Sequence, residues 1–457
     1  MTNVVAMPSV THVPGKPNMI IGAYDIADVG YTANEFFVTG TASSFAGEGA
    51  LGDAEYTTRI VALTPTDVDK FNGTVIVEWL NVSGGVDAPA VWLMAHREIV
   101  REGYAYVGVS AQAVGIVGGE SLVGDFSLKT QDPQRYSPLN HPGDAYSFDM
   151  FSQVGQLVRD SPAEVLGRLT PEFVVGFGES QSAMFLTTYI NHVDRLAHTY
   201  DGFLVHSRFG GSAPLTGGSV LSELEKGHQI DPSPFREDLR VPVMNVITET
   251  DIVGAILPGY YMARQSDGNL LRTWEITGTA HADAYTVKVG FTDTASTPIE
   301  QLAAGYAPTK ELMGQQLPHF INFAPQHHYV LQAAIAGLQS WVRTGAPPSH
   351  APRLETTDAK PPSFVVDENG IAKGGVRTPW VDVPIARTSG AGSDDNPLAL
   401  LFGSGEPFDE ATRRNLYPGG KSEYLERFTE SLDATIRAGF LLRADRDEIL
   451  ALAAANY

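Results

Sequence analysis

The chain has 457 residues, a formal net charge of −22, 43% hydrophobic residues and no cysteine. Such a composition is that of a globular protein able to bury a large core. The acidity argues against nucleic acid and anionic membranes as partners, since both select basic surfaces, and the missing cysteine excludes disulfides, thiolate catalysis and cysteine-ligated zinc.

The opening stretch, MTNVVAMPSVTHVPGKPNMI, lacks a basic segment followed by an apolar core and a small-residue cleavage site. No later run reaches the length of a membrane span. The expectation is a soluble, cytoplasmic protein. EFFVTGTA (Glu35 to Ala42) and YTTRIVAL (Tyr56 to Leu63) are β-rich and close together, which predicts an antiparallel pair. GTVIVEWLN (Gly73 to Asn81) then reads as a buried strand, and PAVWLMAHREIVREG (Pro89 to Gly103) as a helix closed by glycine. YAYVGVSA is the next strand and AYSFDMFSQVGQLVRD (Ala145 to Asp160) the next helix. PEFVVGFG and SQSAMFLTTYINHV repeat the unit, and YDGFLVHS, VPVMNVIT and LRTWEIT are further strands. This alternation predicts a mostly parallel, twisted sheet with helices on both faces.

The rhythm loosens over about 207–240, where RFGGSAPLTGGS and DPSPFREDLR suggest an insertion over one sheet edge, either a lid or a plain surface excursion. HHYVLQAAIAGLQSWVRTG (His327 to Gly345) is a strong helix. The Pro-rich APPSHAPRLETTDAKPPS reads as a linker or extended arm, and SFVVDENGIAKGG as a hairpin turning at Asn-Gly. The last sixty or so residues return to helix. The expected organisation is one α/β domain with its core at about 35–345, the lid-like insertion at 207–240 and a C-terminal extension at 346–457.

FVVGFGESQSAMFL (Phe173 to Leu186) runs from strand to helix through Ser180. A nucleotide loop would need a third glycine where Gln181 stands, or a Lys-Ser/Thr pair, and has neither. The alternative is a nucleophile on a sharp strand-to-helix turn, which demands small flanking residues because strand and helix approach closely there. Gly178 and Ser182 meet that demand, with serine replacing the last glycine of G-x-S-x-G. A serine nucleophile needs a base, and the base an orienting acid. In chain order these come as Ser, then Asp or Glu, then His, each after a strand.

VPVMNVITETDIVG offers Glu249 and Asp251 at a strand end, and LRTWEITGTAHADAY offers His281 after the next strand. Asp251 is favoured as the acid because it lies further past its strand, though Asp is also a common helix cap. Glu249 stays open as a second candidate or a solvated loop charge. His327 and His328 open a helix instead of following a strand, and adjacent helix positions do not face one ligand. The oxyanion donors expected are the N–H of Gln181 and that of Asn81 or Val82 in the loop NVSGGVDA. Trp79, Phe209 and the insertion are candidate pocket walls, with packing as the plainer alternative. Arg208 would meet a carboxylate or pair with an acidic neighbour. The carboxylates of DENG and SDDN lack a calcium-loop pattern, and no metal site is expected.

With these residues in place the sequence resembles the α/β-hydrolase superfamily from about Glu35 to Gly345. More narrowly it is similar to a bacterial family known as "alpha/beta hydrolase domain-containing" proteins. The matching stretches are RYSPLNHPGDAYSFDMFSQVGQ, GFGESQSA, TETD, GTAHAD, GGVRTPWVDVPIARTSG and LFGSGEPFD. WLN stands where many superfamily relatives carry His-Gly, so the second oxyanion donor falls at Asn81 or Val82. The resemblance implies a serine hydrolase acting on a small-molecule carboxylic ester without a cofactor. Ser180 would be the nucleophile, His281 the base and then acid, and Asp251 the orienter. Acyl transfer, lactone opening and amide cleavage use the same triad, and a binding protein can keep the fold without the chemistry.

Overall fold

The structure is a computed structural model that describes residues 7–46, 51–392 and 397–457. The first residues of the N-terminal segment and the SDDN carboxylates lie outside the described residues. The chain forms two compact units. One runs up to Val243 and includes Gly268–Leu271; the other comprises Met244–Asp267 and Arg272–Tyr457.

The first unit opens with three strands, β1 (Ser9–Val13), β2 (Tyr31–Ser43) and β3 (Asp53–Pro65). Each pairs antiparallel with the next, as the short connection between EFFVTGTA and YTTRIVAL predicts. β4 (Thr74–Trp79), helix α1 (Ala90–Arg101), β5 (Ala105–Val109) and α2 (Ser147–Asp160) follow. β6 (Phe173–Glu179), α3 (Gln181–Thr188) and β7 (Gly202–His206) complete the alternation. The strand order is β1-β2-β3-β5-β4-β6-β7. β5, β4, β6 and β7 run parallel, and β3 meets β5 antiparallel.

Every residue of β4 is buried, as expected of a central parallel strand covered on both faces. Alternation along it sends side chains to opposite sides. Trp79 meets Phe148 and Phe151 of α2 and Phe185 of α3, with ring centroids 5.7, 5.0 and 5.3 Å away. On the other face the Glu78 carboxylate accepts the Val91 and Trp92 N–H groups at 2.8 and 3.2 Å. Those are the first turn of α1, whose own N-cap, Pro89, supplies no side-chain bond. A strand carboxylate therefore satisfies donors that the helix leaves open.

The second unit contains β8 (Val243–Thr248), the short helix α4 (Glu249–Val253), β9 (Leu271–Ile276) and α5 (Gln326–Thr344). β8 and β9 are neighbours in the strand order. The Pro-rich segment after α5 is an extended arm packed along β9. Arg353 donates to Thr273 O and to Asp267 Oδ1, and Trp274 Nε1 donates to Ser349 O. Beyond it the chain doubles back at Asn369-Gly370, with Val366 bridged to Ala372 and Gly370 at φ 76°. The extension continues with the antiparallel pair β10 (Ala386–Ser389) and β11 (Ser404–Pro407), then α6 (Gly420–Ala438) and α7 (Arg446–Asn456). No helix among the described residues is long and apolar enough to cross a membrane.

Candidate active site

Ser180 occupies the step between β6 and α3. Its backbone has φ 53° and ψ −117°, a region that costs a non-glycine residue about 1–3 kcal/mol. Neighbouring groups fix it there. Its N–H donates to His206 O at the end of β7 at 2.9 Å, and its carbonyl accepts the Met184 N–H at 3.2 Å. A Cβ on Gly178 would lie 3.0 Å from Ser182 O, so glycine is what the strand–helix approach allows there. Ser182 has its own reason to replace the usual last glycine. Its hydroxyl accepts the Glu179 N–H at 3.0 Å and donates to Glu179 O at 2.8 Å, tying the helix start to the residue before the nucleophile.

The parallel register puts Trp79 beside Gly178. The loop after β4 therefore leaves the same sheet edge as the Ser180 turn. Asn81 joins the two, its Nδ2 donating to Glu179 Oε2 at 2.9 Å and to Glu179 O at 3.1 Å. The Asn81 backbone N–H is committed to Ala88 O at 2.9 Å. That corrects the expectation that Asn81 supplies an oxyanion donor: it positions the loop through its side chain. The N–H groups of Val82 and Gln181 have no acceptor among the described residues.

In the second unit, Asp251 and His281 are brought together. His281 Nδ1 and Asp251 Oδ1 are 2.6 Å apart, with both side chains almost entirely buried. Asp251 Oδ2 accepts the Thr248 N–H at 2.8 Å, and Thr248 caps α4 in return. The capping role and the histidine contact are thus both filled, one oxygen each. Nδ1 is thus the ring nitrogen that faces the carboxylate, and Nε2 is the other.

Glu249 takes a different place from Asp251. It is fully buried and accepts the Gly278 N–H at 2.6 Å, the Gly390 N–H at 2.9 Å and the Ser389 hydroxyl at 2.8 Å. Burial raises its pKa, and these donors oppose the rise. The reading of Glu249 as a solvated loop charge is corrected accordingly. Thr250 completes the clamp: its Oγ1 accepts the His281 N–H at 3.1 Å and donates to Gly390 O at 2.7 Å. A Cβ on Gly390 would lie 2.3 Å from Thr250 N and 2.4 Å from Thr279 O, so the extension meets the histidine loop backbone to backbone. Sequence reasoning missed Thr250, Ser389 and Gly390. The one signal was the stretch ending in TSG, which matched the family without suggesting a task.

The remaining candidates fall into packing positions. Trp79 is fully buried, and its Nε1 donates to Gln112 Oε1. Phe209 is 2% exposed. Arg208 is buried, donates to Phe209 O and Ser233 O, and lies 5.0 Å over the Phe235 ring, holding the insertion to the end of β7. His327 lies 3.6 Å from Asp283, and His328 stacks on Tyr285 at 3.8 Å. Among the described residues, no group of three or more His, Asp or Glu is arranged to hold a metal ion.

A twisted, mostly parallel sheet with helices on both faces and a serine turn at a strand end is the α/β-hydrolase fold. The chain belongs to the family described as the alpha/beta hydrolase domain, whose model matches residues 5–451. No curated protein matches it. Among solved structures it is similar to acetyl xylan esterase 1 from Thermoanaerobacterium sp. JW/SL YS485, at 13% identity and TM-score 0.31, covering 59% of this chain and 80% of that one. An esterase of Pyrococcus furiosus shows 10% identity and TM-score 0.29 over 57% and 87% of the two chains. A thermostable esterase from Pseudomonas putida ECU1011 shows 12% and 0.27 over 50% and 66%.

Proposed function

We propose that the protein is a serine esterase that cleaves a small-molecule carboxylic ester through Ser180, His281 and Asp251. The observation that carries this reading is the backbone of Ser180, held at φ 53° in the sharp turn between β6 and α3. Family membership and the preformed Asp251–His281 pair support it. In the proposed cycle, His281 Nε2 takes the proton of Ser180 Oγ as the oxygen attacks the ester carbonyl. The oxyanion is met by the Val82 and Gln181 N–H groups, each worth about 100- to 1000-fold in rate. Collapse expels the alcohol, which receives the proton from His281. Water then attacks the acyl-enzyme with His281 again as base, releasing the acid and restoring Ser180.

The exposed apolar side chains suggest the polarity of the substrate. Val117, Leu122, Val123 and Phe126 are 50%, 39%, 53% and 48% exposed and fall within one short segment. That segment is fastened to the oxyanion loop, with Leu122 N–H donating to Ser83 O and Phe126 N–H to Gly85 O. An apolar lip carried by the oxyanion loop favours esters with a hydrophobic acyl or alcohol part. The test is labelling by a fluorophosphonate probe and hydrolysis of p-nitrophenyl acetate and octanoate. Wild type is expected to label and to prefer octanoate, and Ser180→Ala to do neither. Wild-type rates from Ser180→Ala would sink the esterase reading. An unchanged octanoate preference in Phe126→Ser would remove only the lip.

A further inference from the structure

One buried ionic chain in the first unit lies outside the proposed cycle. The Arg59 side chain of β3 is fully buried between two carboxylates, with Nη1 3.6 Å from Glu35 Oε1 and Nη2 2.6 Å from Asp87 Oδ2. Nη1 also donates to Asn18 O at 3.0 Å. Glu35 is met in turn by Arg135 and by the Tyr136 hydroxyl. Ser110, just past β5, closes a triangle on Asp87. Its hydroxyl accepts Arg59 Nε at 2.8 Å and donates to Asp87 Oδ2 at 2.5 Å. The Ser110 backbone is itself pinned to β3, its N–H on Arg59 O at 3.0 Å and its carbonyl on Thr58 Oγ1 at 2.5 Å. A buried ion pair adds little net stability over apolar packing, but its charge-assisted bonds are directional and fix position.

Asp87 is where this chain ends, and it lies in the oxyanion loop. That loop closes through two bonds, Asn81 N–H to Ala88 O at 2.9 Å and Ala88 N–H to Asn81 O at 2.8 Å, with Val82 and Asp87 just inside the closure. Gly115, in the short helical turn Ala113–Val117, packs against both residues. A Cβ there would lie 1.9 Å from Asp87 Oδ1 and 3.1 Å from Val82 Cγ1. The Asp87 carboxylate is thus set between Arg59 and Gly115, and Val82 leans on the same glycine. A shift of Asp87 reaches Val82 by two routes, through the loop closure and through Gly115.

We propose that Asp87 is a positioning residue for the oxyanion hole: held on the Arg59–Ser110 frame, it fixes the place of the Val82 N–H. This rests on the esterase reading. The test compares two ketones as inhibitors of p-nitrophenyl octanoate hydrolysis. With 1,1,1-trifluorononan-2-one, Ser180 Oγ bonds to the carbonyl carbon, the C=O pair becomes an oxyanion and the hydroxyl proton passes to His281. The ketone 2-nonanone has the same chain without that activation. Asp87→Asn is expected to lose about 100-fold in kcat and the same factor in affinity for the trifluoro ketone, with KM and the affinity for 2-nonanone unchanged. Ser110→Ala keeps the ion pair and removes one bond to Asp87, so it should show the same paired losses at about tenfold, and it decides the matter if Asp87→Asn fails to fold. Titration with a fluorophosphonate counts active sites, so loss of folded protein is not read as loss of rate. Equal weakening of both ketones, a fall in site count alone, or wild-type kcat in either variant would overturn the proposal. A wild-type protein that binds the two ketones equally would bring down the esterase reading, and this inference with it.

Discussion

The serine turn and the acid–histidine pair are built by opposite means. Ser180 is held by short-range devices: the Gly178 approach, the Ser182 hydroxyl on Glu179, and one bond to the neighbouring strand end. Asp251, in α4, and His281, in the loop after β9, are held from far along the chain: Thr250 and Glu249 bond Gly390 and Ser389, some 140 residues away. A locally wound turn tolerates change elsewhere. A remotely clamped loop depends on the extension being folded. The same contrast runs through the two buried glutamates. Glu78 caps a helix 13 residues on, whereas Glu249 joins β8 to the extension.

The largest effect that separates the halves is expected from Asp251→Asn. The amide cannot hold the His281 tautomer, and loss of that orientation costs about 10⁴-fold in kcat. The bonds given for the Ser180 backbone, to His206 and Met184, do not include Asp251, so thermal unfolding should change far less than kcat. A kcat within about tenfold of wild type would contradict the role proposed for Asp251.

Glu78 tests the locally built half by pH. Burial, and then the nearby charge of Glu179, push its pKa up to about 8 against donors from Val91, Tyr106 and Trp92. The folded value lies above the ordinary 4.5. Its stabilising contribution is therefore whole at acid pH and is lost as pH rises through about 8. Glu78→Gln has no proton to release, so it should gain on wild type between about pH 5 and pH 9, by on the order of a few kcal/mol. Urea unfolding across that range reads the slope; parallel wild-type and variant curves would contradict the assignment.

Gly390→Ala tests the remote clamp. The added methyl would stand 2.3 Å from Thr250 N, so the loop carrying His281 must shift. A displacement near 1 Å at a catalytic group commonly costs about 100-fold. The expected result is that fall in kcat and in fluorophosphonate labelling, with KM little changed. A variant as active as wild type would show that the extension does not position His281.

How much of this was legible follows the same division. The turn at Ser180 could be read because the small residues Gly178 and Ser182 beside it are a local signature, although its bond to His206 is not. Asp251 and His281 could be read because strand ends are visible as apolar runs. The clamp could not, since no local pattern links Glu249 to Ser389 across most of the second unit. Whether Trp79 packs or lines a pocket could not be read for another reason. A strand buried on both faces is uniformly apolar and does not reveal which side a residue takes. Asn81 failed on a single bond: the loop closes on itself at Ala88, and only the folded backbone shows that this N–H is occupied.

The smallest expected effect concerns the departure that the sequence itself displayed, serine for glycine at position 182. If Ser182 were merely a tolerated small residue, Ser182→Gly would be neutral or would ease the turn. The structure gives its hydroxyl two bonds to Glu179, one accepted from the N–H and one donated to the carbonyl. Glycine would leave that N–H without its acceptor and add backbone freedom in the first turn of α3. The loss expected is about 1 kcal/mol in denaturant unfolding, with kcat within about twofold because Gly178 and the His206 bond still set the Ser180 backbone. A larger fall in kcat than in stability would mean that Ser182 helps aim the nucleophile. Equal stability would mean that water replaces it, and that the turn rests on glycine and the sheet edge alone.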